Sequence, residues 1–216
     1  MGNEATWVTF VRHGETEHNR TNRYMGRLEG GITDLGRDQA GRAARRLARE
    51  APFDALYVSP LRRTRETAAY LEEALGLVAS PDPGFLEIDL GPWEDRDRAE
   101  VAAEDPERWA VWLRDPSRVR VEGMETIDEV KARVGAALDA LVTSHPGGRI
   151  VVVTHFACVV TAVLHALELP SSAYRRFPVD NASLTTLRLG ALGKLRRFND
   201  TAHLAADDAP LADQDS

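Results

Sequence analysis

The segment VRHGETEHN (11–19) sets Arg12 directly before His13. A second histidine, His155, closes the run RIVVVTH (149–155). Two further segments bring arginines in SPLRRTRETA (59–68) and a glutamate, Glu87, in FLEIDLGPWE (85–94). Arginine's planar guanidinium matches phosphate oxygens and stays charged at physiological pH. A histidine among such cations is held neutral, because nearby positive charge disfavours the imidazolium. Neutral imidazole can attack phosphorus and carry the phosphoryl group, dividing one hard transfer into two easier ones. Fixed cationic donors stabilise the charge on the group in flight. A lone carboxylate can protonate the leaving oxygen and later activate water. Two histidines, two arginines and one glutamate therefore suit phosphoryl transfer without a metal.

Such a set works only if the chain brings its members to one rim. TWVTFV (6–11) is apolar and rich in β-branched and aromatic residues, a buried strand that stops at Arg12-His13-Gly14. Residues 14–34 are polar and glycine-bearing, which predicts a long loop. A helix capped by Thr33 or Asp34 is expected over 35–50, then a strand at 54–59 and a helix starting at Pro60 and stopped by Gly76. A short strand is expected near 85–90. Residues 92–122 hold three of the four tryptophans, many charges and two Asp-Pro steps, and read as short helices outside the sheet, a cap. An amphipathic helix spans 126–144, with Ile127, Val130, Val134, Leu138 and Leu141 on one side. The apolar run 149–154 suits a strand covered on both faces, followed by a helix at 156–168 and strands near 183–189 and 194–199. Strands alternating with helices imply an α/β three-layer sandwich with a largely parallel central sheet flanked by helices. Ligands of such sheets bind at the carboxyl ends of the strands. Arg12-His13, Ser59 to Arg63, Glu87 and His155 all fall there.

The chain has 216 residues, 43% of them hydrophobic, enough for one ordinary domain with its own core. We expect a single domain over 1–204, a cap insertion at about 92–125, and a disordered acidic tail at 205–216. Asp plus Glu number 34 against 27 Lys plus Arg, a net charge of −7, which argues against a nucleic-acid or anionic-membrane partner. No apolar run has the length of a membrane span, and MGNEATW lacks a signal-peptide pattern, so a cytoplasmic location is expected. The single cysteine, Cys158, is too few for a disulfide or a structural zinc site and reads as core. No His, Asp or Glu pairing has metal-ligand spacing, so no metal is expected.

VRHGETEHN resembles the signature of the histidine phosphatase superfamily, which includes the cofactor-dependent phosphoglycerate mutases. SPLRRTRETA, FLEIDLGPWE, EGMETIDEVKARV (122–134) and VVVTHFACV (151–159) resemble its later blocks in the expected order. The resemblance runs from residue 6 to about 204 and implies a phosphoglycerate mutase-like fold, a bacterial phosphatase branch and a phosphohistidine intermediate. It implies His13 as the phosphorylated nucleophile, Arg12 and Arg63 as phosphate clamps, Glu87 as the acid/base and His155 as a second phosphate-binding histidine. Asn19, the backbone at Met25-Gly26 and that at Phe156-Ala157 match further substrate contacts. The pattern Ser, any, Leu, any, Arg selects Arg63, with Arg62 and Arg65 as rivals; Asp89 and Glu94 compete with Glu87. Met25 stands where relatives often carry a polar residue. Phe156 and Asp95 stand where glycine is frequent, and Met124 interrupts a Gly-Gly-Glu-Ser-like block.

Three functions follow. The first is a metal- and cofactor-independent phosphatase for a small phosphorylated metabolite, with water resolving the phosphohistidine. The second is a mutase, for which 2,3-bisphosphoglycerate would act as primer. The third is a binding or regulatory module without catalysis, disfavoured because all five machinery residues are present. The mutase branch grips its substrate's carboxylate with a lysine and arginines from a long cap. Residues 88–130 contain no lysine, although Arg114, Arg118 and Arg120 offer partial substitutes, so hydrolysis is expected. Dimers are common in that family, and a homodimer is carried as an open expectation. Trp93, Trp109 and Trp112 are candidates for the substrate mouth.

Overall fold

In the computed structural model, which describes residues 4–205, four parallel strands carry the centre of a six-stranded sheet. They are β1 (Thr6–Arg12), β2 (Ala55–Val58), β3 (Ala79–Pro81) and β4 (Arg149–Thr154). Two antiparallel strands, β5 (Leu184–Leu189) and β6 (Lys194–Asp200), extend it to the order β3-β2-β4-β1-β5-β6. Register decides what meets at the rim. Arg12 pairs with Thr154 across β1 and β4, and Val58 with Val153 across β2 and β4. His13, His155 and Ser59, each one or two residues further on, must therefore emerge side by side.

Alternation along the strands divides the core in two. Val8 and Phe10 of β1 and Ile150 and Val152 of β4 pack with Val134 and Leu138 of one helix and Val159, Val160 and Val163 of another. Those helices are Ile127–Ser144 and Phe156–Ala166. Val11, Val151 and Val153 face the other way, onto Ala43, Ala44 and Leu47 of helix Asp34–Ala48 and Ala68 and Leu71 of helix Arg62–Leu75. Each fully buried Val or Leu contributes roughly 1.5–3 kcal/mol, so both faces are secured by burial. With the one-turn helix Glu17–Arg20 as α1, these are α2 (34–48), α3 (62–75), α6 (127–144) and α7 (156–166). Thr33 caps α2 through Gly36 N, and Thr126 and Glu129 form a capping box on α6. The expected three-layer α/β sandwich is present.

The cap consists of α4 (Arg98–Glu104) and α5 (Pro106–Arg114), then a 3-10 turn at Pro116–Arg118. Both Asp-Pro steps sit at helix starts, and Asp105 accepts a hydrogen bond from Arg108 N (2.9 Å). Trp93, Val101, Trp112 and Val119 bury into the same cluster as α6 and α7, which fixes the cap over that face.

Three expectations are corrected. No strand forms at 85–90: β3 lies earlier, and a 3-10 turn at Pro83–Phe85 leads into irregular chain. There the carbonyls meet side chains instead of a strand, with Cys158 Sγ on Leu86 O (2.8 Å) and Arg27 and Arg133 on Glu87 O (3.1 Å each). The loop 14–34 contains α1, because Thr16 and Asn19 form a capping box. Helix α3 starts at Arg62, two residues past Pro60, with Leu61 extended before it. The expected acidic tail lies, apart from Ala205, outside the described residues. Among the described residues no helix is long and apolar enough to cross a membrane.

Candidate active site

His13 leaves β1 into Gly14, whose closeness to α2 leaves no room for a side chain. A Cβ on Gly14 would lie 2.3 Å from Gly36 O. His13 is buried, and its Nδ1 lies 2.8 Å from Gly14 O. A carbonyl only accepts, so Nδ1 carries the proton and Nε2 keeps its lone pair. Burial, then Arg63 and Arg12, hold the His13 pKa well below its ordinary value. The ring is therefore neutral at pH 7.

His155, the residue before α7, packs edge-on to His13 with centroids 5.3 Å apart. Arg63 Nε donates to His155 Nδ1 (3.2 Å), which leaves Nε2–H to donate to Ser59 Oγ (2.7 Å). Burial, then Arg63 and His13, keep this ring neutral too. Arg63, on the first turn of α3, is buried and donates to Gly26 O (2.7 Å) and Leu28 O (3.0 Å). That accounts for Gly26: its φ is +51°, and a Cβ there would strike Glu94 Oε1 at 2.0 Å.

Arg12 donates to Val179 O and stacks 5.7 Å from the centre of the Phe156 ring. Its buried Nε has no hydrogen-bond partner among the described residues. Burial lowers its pKa to about 10, which leaves it charged at pH 7. A buried donor with no acceptor is costly, which marks Arg12 as held in place by its surroundings.

Glu87 accepts from Ile88 N (2.9 Å) and Ala157 N (3.2 Å), both at Oε1, which leaves Oε2 free of them. Burial raises its pKa above the ordinary carboxylate value, against the pull of Arg63 and Arg12. Its backbone is pinned from behind. Arg27 Nε and Arg133 Nη2 both donate to Glu87 O, and Glu125 binds both guanidiniums, Arg27 at 3.1 Å and Arg133 at 2.7 and 2.9 Å.

The cavity these residues share is about 470 Å³, within the roughly 300–1,000 Å³ of small-molecule sites. Arg12, His13, Asn19, Met25, Gly26, Arg63, Glu87, Phe156 and Ala157 all line it. His155 lies directly behind, through its contacts with His13 and Arg63. Asn19 Oδ1 accepts from Thr16 N, Thr16 Oγ1 and Asn181 Nδ2, an arrangement that fixes the amide and leaves its own NH₂ as a donor.

The rivals are engaged elsewhere. Arg62 is exposed and pairs with Glu66 (2.6 Å), and Arg65 is exposed. Asp89 accepts from Gly91 N and Glu94 from Arg27 N (2.7 Å). Asp95 has a φ of +59°, a left-handed turn that asparagine, aspartate and glycine tolerate best, and it binds Arg23 and His18. Cys158 is buried, with its thiol pKa pushed up to about 12.

Two expectations about the mouth are corrected. Trp109 and Trp112 line it, but Trp93 is buried behind, stacked on Tyr24 at 5.7 Å. Arg114, Arg118 and Arg120 do not line it; Arg23, Arg98 and Arg175 do. The sequence reading also missed Tyr24, Tyr174, Asp180 and Asn181. Asn181 donates to His13 O (3.1 Å), and the only sequence signal for it was its place in FPVDNASL. Among the described residues no three His, Cys, Asp or Glu side chains are grouped to hold a metal.

Residues 8–208 match the sequence profile of the histidine phosphatase superfamily (branch 1). A phosphoserine phosphatase 1 of Hydrogenobacter thermophilus is 32% identical over 91% of this chain and 93% of its own length. A probable phosphoglycerate mutase of Erwinia tasmaniensis is 32% identical over 82% of each chain. A bifunctional protein of Mycobacterium tuberculosis is 35% identical over 92% of this chain, which spans only 55% of that protein. Among solved structures, a mycobacterial glucosyl-3-phosphoglycerate phosphatase bound to VO3 superposes with a TM-score of 0.82 at 28% identity, covering 90% of this chain and 99% of that one.

Proposed function

We propose that this chain, which belongs to the histidine phosphatase superfamily, hydrolyses small phosphate monoesters through a phosphohistidine on His13. His13 Nε2 attacks phosphorus while the ester P–O bond breaks, and the Glu87 carboxyl gives its proton to the departing oxygen. Arg12, Arg63 and the Asn19 amide hold the phosphoryl oxygens as charge builds on them. Glu87, now a carboxylate, takes a proton from water, whose oxygen attacks phosphorus as the P–N bond breaks. Phosphate leaves, and His13 and Glu87 return to their starting forms. His155 keeps Arg63 and Ser59 in place beside the nucleophile.

One observation carries this reading. The imidazole of His13 is locked by Gly14 O into the tautomer with a free Nε2, in a cavity also lined by the charged Arg12 and Arg63. The pKa of Glu87 is raised and that of His13 lowered, the directions that favour a carboxyl acid beside a neutral nucleophile. The reaction as written needs neither metal nor cofactor, and a small phosphorylated metabolite in the cytoplasm is the setting it fits.

The test uses p-nitrophenyl phosphate, 3-phosphoglycerate and 2,3-bisphosphoglycerate in EDTA, following free phosphate and 2-phosphoglycerate. Hydrolysis predicts free phosphate from at least one ester. Rapid interconversion of the phosphoglycerates with little free phosphate assigns the mutase reaction instead, with 2,3-bisphosphoglycerate as its primer.

A further inference from the structure

The tautomer of His13 depends on one carbonyl, and that carbonyl belongs to a glycine. Gly14 O accepts from His13 Nδ1 (2.8 Å) and from no other donor among the described residues. Gly14 has no side chain to limit rotation of its peptide planes, so their orientation must be set from outside. In a trans peptide the C=O and the following N–H point in opposite directions from one plane. The plane that presents Gly14 O to the imidazole therefore presents Glu15 N–H to the opposite side.

What meets that N–H is Gln39, a half-buried residue of α2 that does not line the cavity. Its Oε1 accepts from Glu15 N (2.8 Å). The start of α2 is pressed against the same turn: a Cβ on Gly36 would lie 2.3 Å from Glu15 O. Thr33 anchors it further, donating from its N to Glu15 O (2.8 Å) and from its Oγ1 to Glu15 Oε1 (2.8 Å). The preceding peptide plane is held by α3 instead. Gly14 N donates to Thr67 Oγ1 (3.1 Å), which in turn donates to Arg63 O (2.8 Å). With that plane fixed, the remaining freedom of the turn lies in the plane that Gln39 grips. Hydrogen bonds at both ends of one peptide polarise it in the same sense, so each strengthens the other.

We propose that Gln39 is a positioning residue for the nucleophile: by holding Glu15 N–H it aims Gly14 O at His13 Nδ1, which keeps the proton off Nε2. The proposal rests on the phosphatase reading for its effect on turnover, but not for its effect on the imidazole. Without the Gln39 oxygen, Glu15 N–H loses its acceptor and the plane turns to find another. Gly14 O then leaves His13 Nδ1, and the proton divides between the two ring nitrogens. A ring protonated on Nε2 has no lone pair there with which to attack phosphorus.

The experiment records the ring-nitrogen signals of His13 in ¹⁵N-labelled protein at pH 7, assigned by their loss in His13→Ala, together with kcat and KM for p-nitrophenyl phosphate. Gln39→Met keeps the length of the side chain and removes its acceptor, whereas Gln39→Glu keeps an acceptor oxygen. The unmodified protein is expected to show Nδ1 protonated and Nε2 bare. In Gln39→Met the Nε2–H form appears and kcat falls about tenfold, the equivalent of about 1.4 kcal/mol, with KM unchanged. Gln39→Glu restores both readouts, and Gln39→Ala carries the expectation of Gln39→Met should that variant not fold. A purely structural role lowers Tm and leaves the His13 nitrogens as they are, which overturns the proposal. So does Nε2–H in the unmodified protein, or a shifted tautomer with kcat unchanged. Nitrogen signals that behave as described in a protein that hydrolyses no ester uphold the positioning role and sink the phosphatase reading.

Discussion

Glu125 touches no part of the cavity, yet the geometry makes it responsible for where Glu87 sits. It accepts four hydrogen bonds: two from Arg133 (2.7 and 2.9 Å), one from Arg27 (3.1 Å) and one from Asp89 N (3.2 Å). Glu125→Ala leaves Arg133 half-buried with Gly84 O, Glu87 O and, weakly, the Cys158 sulfur (3.9 Å) to receive its protons, and no carboxylate. Hydrogen bonds to charged groups contribute about 1.5–3 kcal/mol each, and breaking a well-buried pair costs about 3–5 kcal/mol. The side chains are 13% and 21% exposed, so solvent recovers part of this, and we expect a loss of about 3 kcal/mol. For a chain this long that lowers Tm by roughly 6–12 °C. The same change frees the Glu87 carbonyl from its clamp, so kcat for an ester with a poor leaving group falls as well. Thermal unfolding and steady-state kinetics on Glu125→Ala, Arg133→Met and the double variant measure both effects. The double variant is expected to be more stable than the sum of the single losses, because no charge is left unpaired. Strict additivity, or a single variant within 1 °C of the parent, refutes the clamp.

Three further outcomes follow from the site. Folding lowers the pKa of both His13 and His155, so below about pH 6.5 the unfolded chain binds more protons and stability falls with pH. The slope is about 1.4 kcal/mol per pH unit for each ring, and His155→Gln flattens it in urea titrations run from pH 7 to 5. Glu87 acts oppositely, since its raised pKa costs stability above the ordinary carboxylate range and that cost disappears in acid. In kcat/KM profiles for an alkyl phosphate, activity is expected to fall as pH rises through the raised Glu87 value, and Glu87→Gln removes that limb while slowing turnover about 10²–10⁴-fold. Gly14→Ala forces a methyl to 2.3 Å from Gly36 O; about 1–3 kcal/mol of stability and most of the activity should be lost, as unfolding and kinetic assays would report.

Much of this site was legible because apolar runs stop where chemistry starts. TWVTF and RIVVVT are strands by composition, and the register Arg12 to Thr154 makes neighbours of the residues that follow them. Glu87 was legible by its block but not by its element. The stretch after Phe85 carries spaced apolar residues like a strand, yet Phe85 plugs against Phe10 (6.4 Å) and side chains take its carbonyls. Arg98 and Arg175 were not legible at all. Each is an exposed cation in a charged segment, and only the packing of the cap on α6 and α7 brings the two to one rim. Arg114, Arg118 and Arg120 carry the same composition and face elsewhere, because composition does not say which side of a short helix meets the cavity.

Transient attachment of phosphate to one nitrogen of His13 is the heart of the account. Rapid acid-free quenching of the protein with a ³²P-labelled ester, followed by peptide mapping, tests it directly. The expected result is an acid-labile, base-stable label on the peptide containing His13, present in His18→Ala and absent, with turnover, in His13→Ala. Label on another residue, or undiminished turnover in His13→Ala, contradicts it.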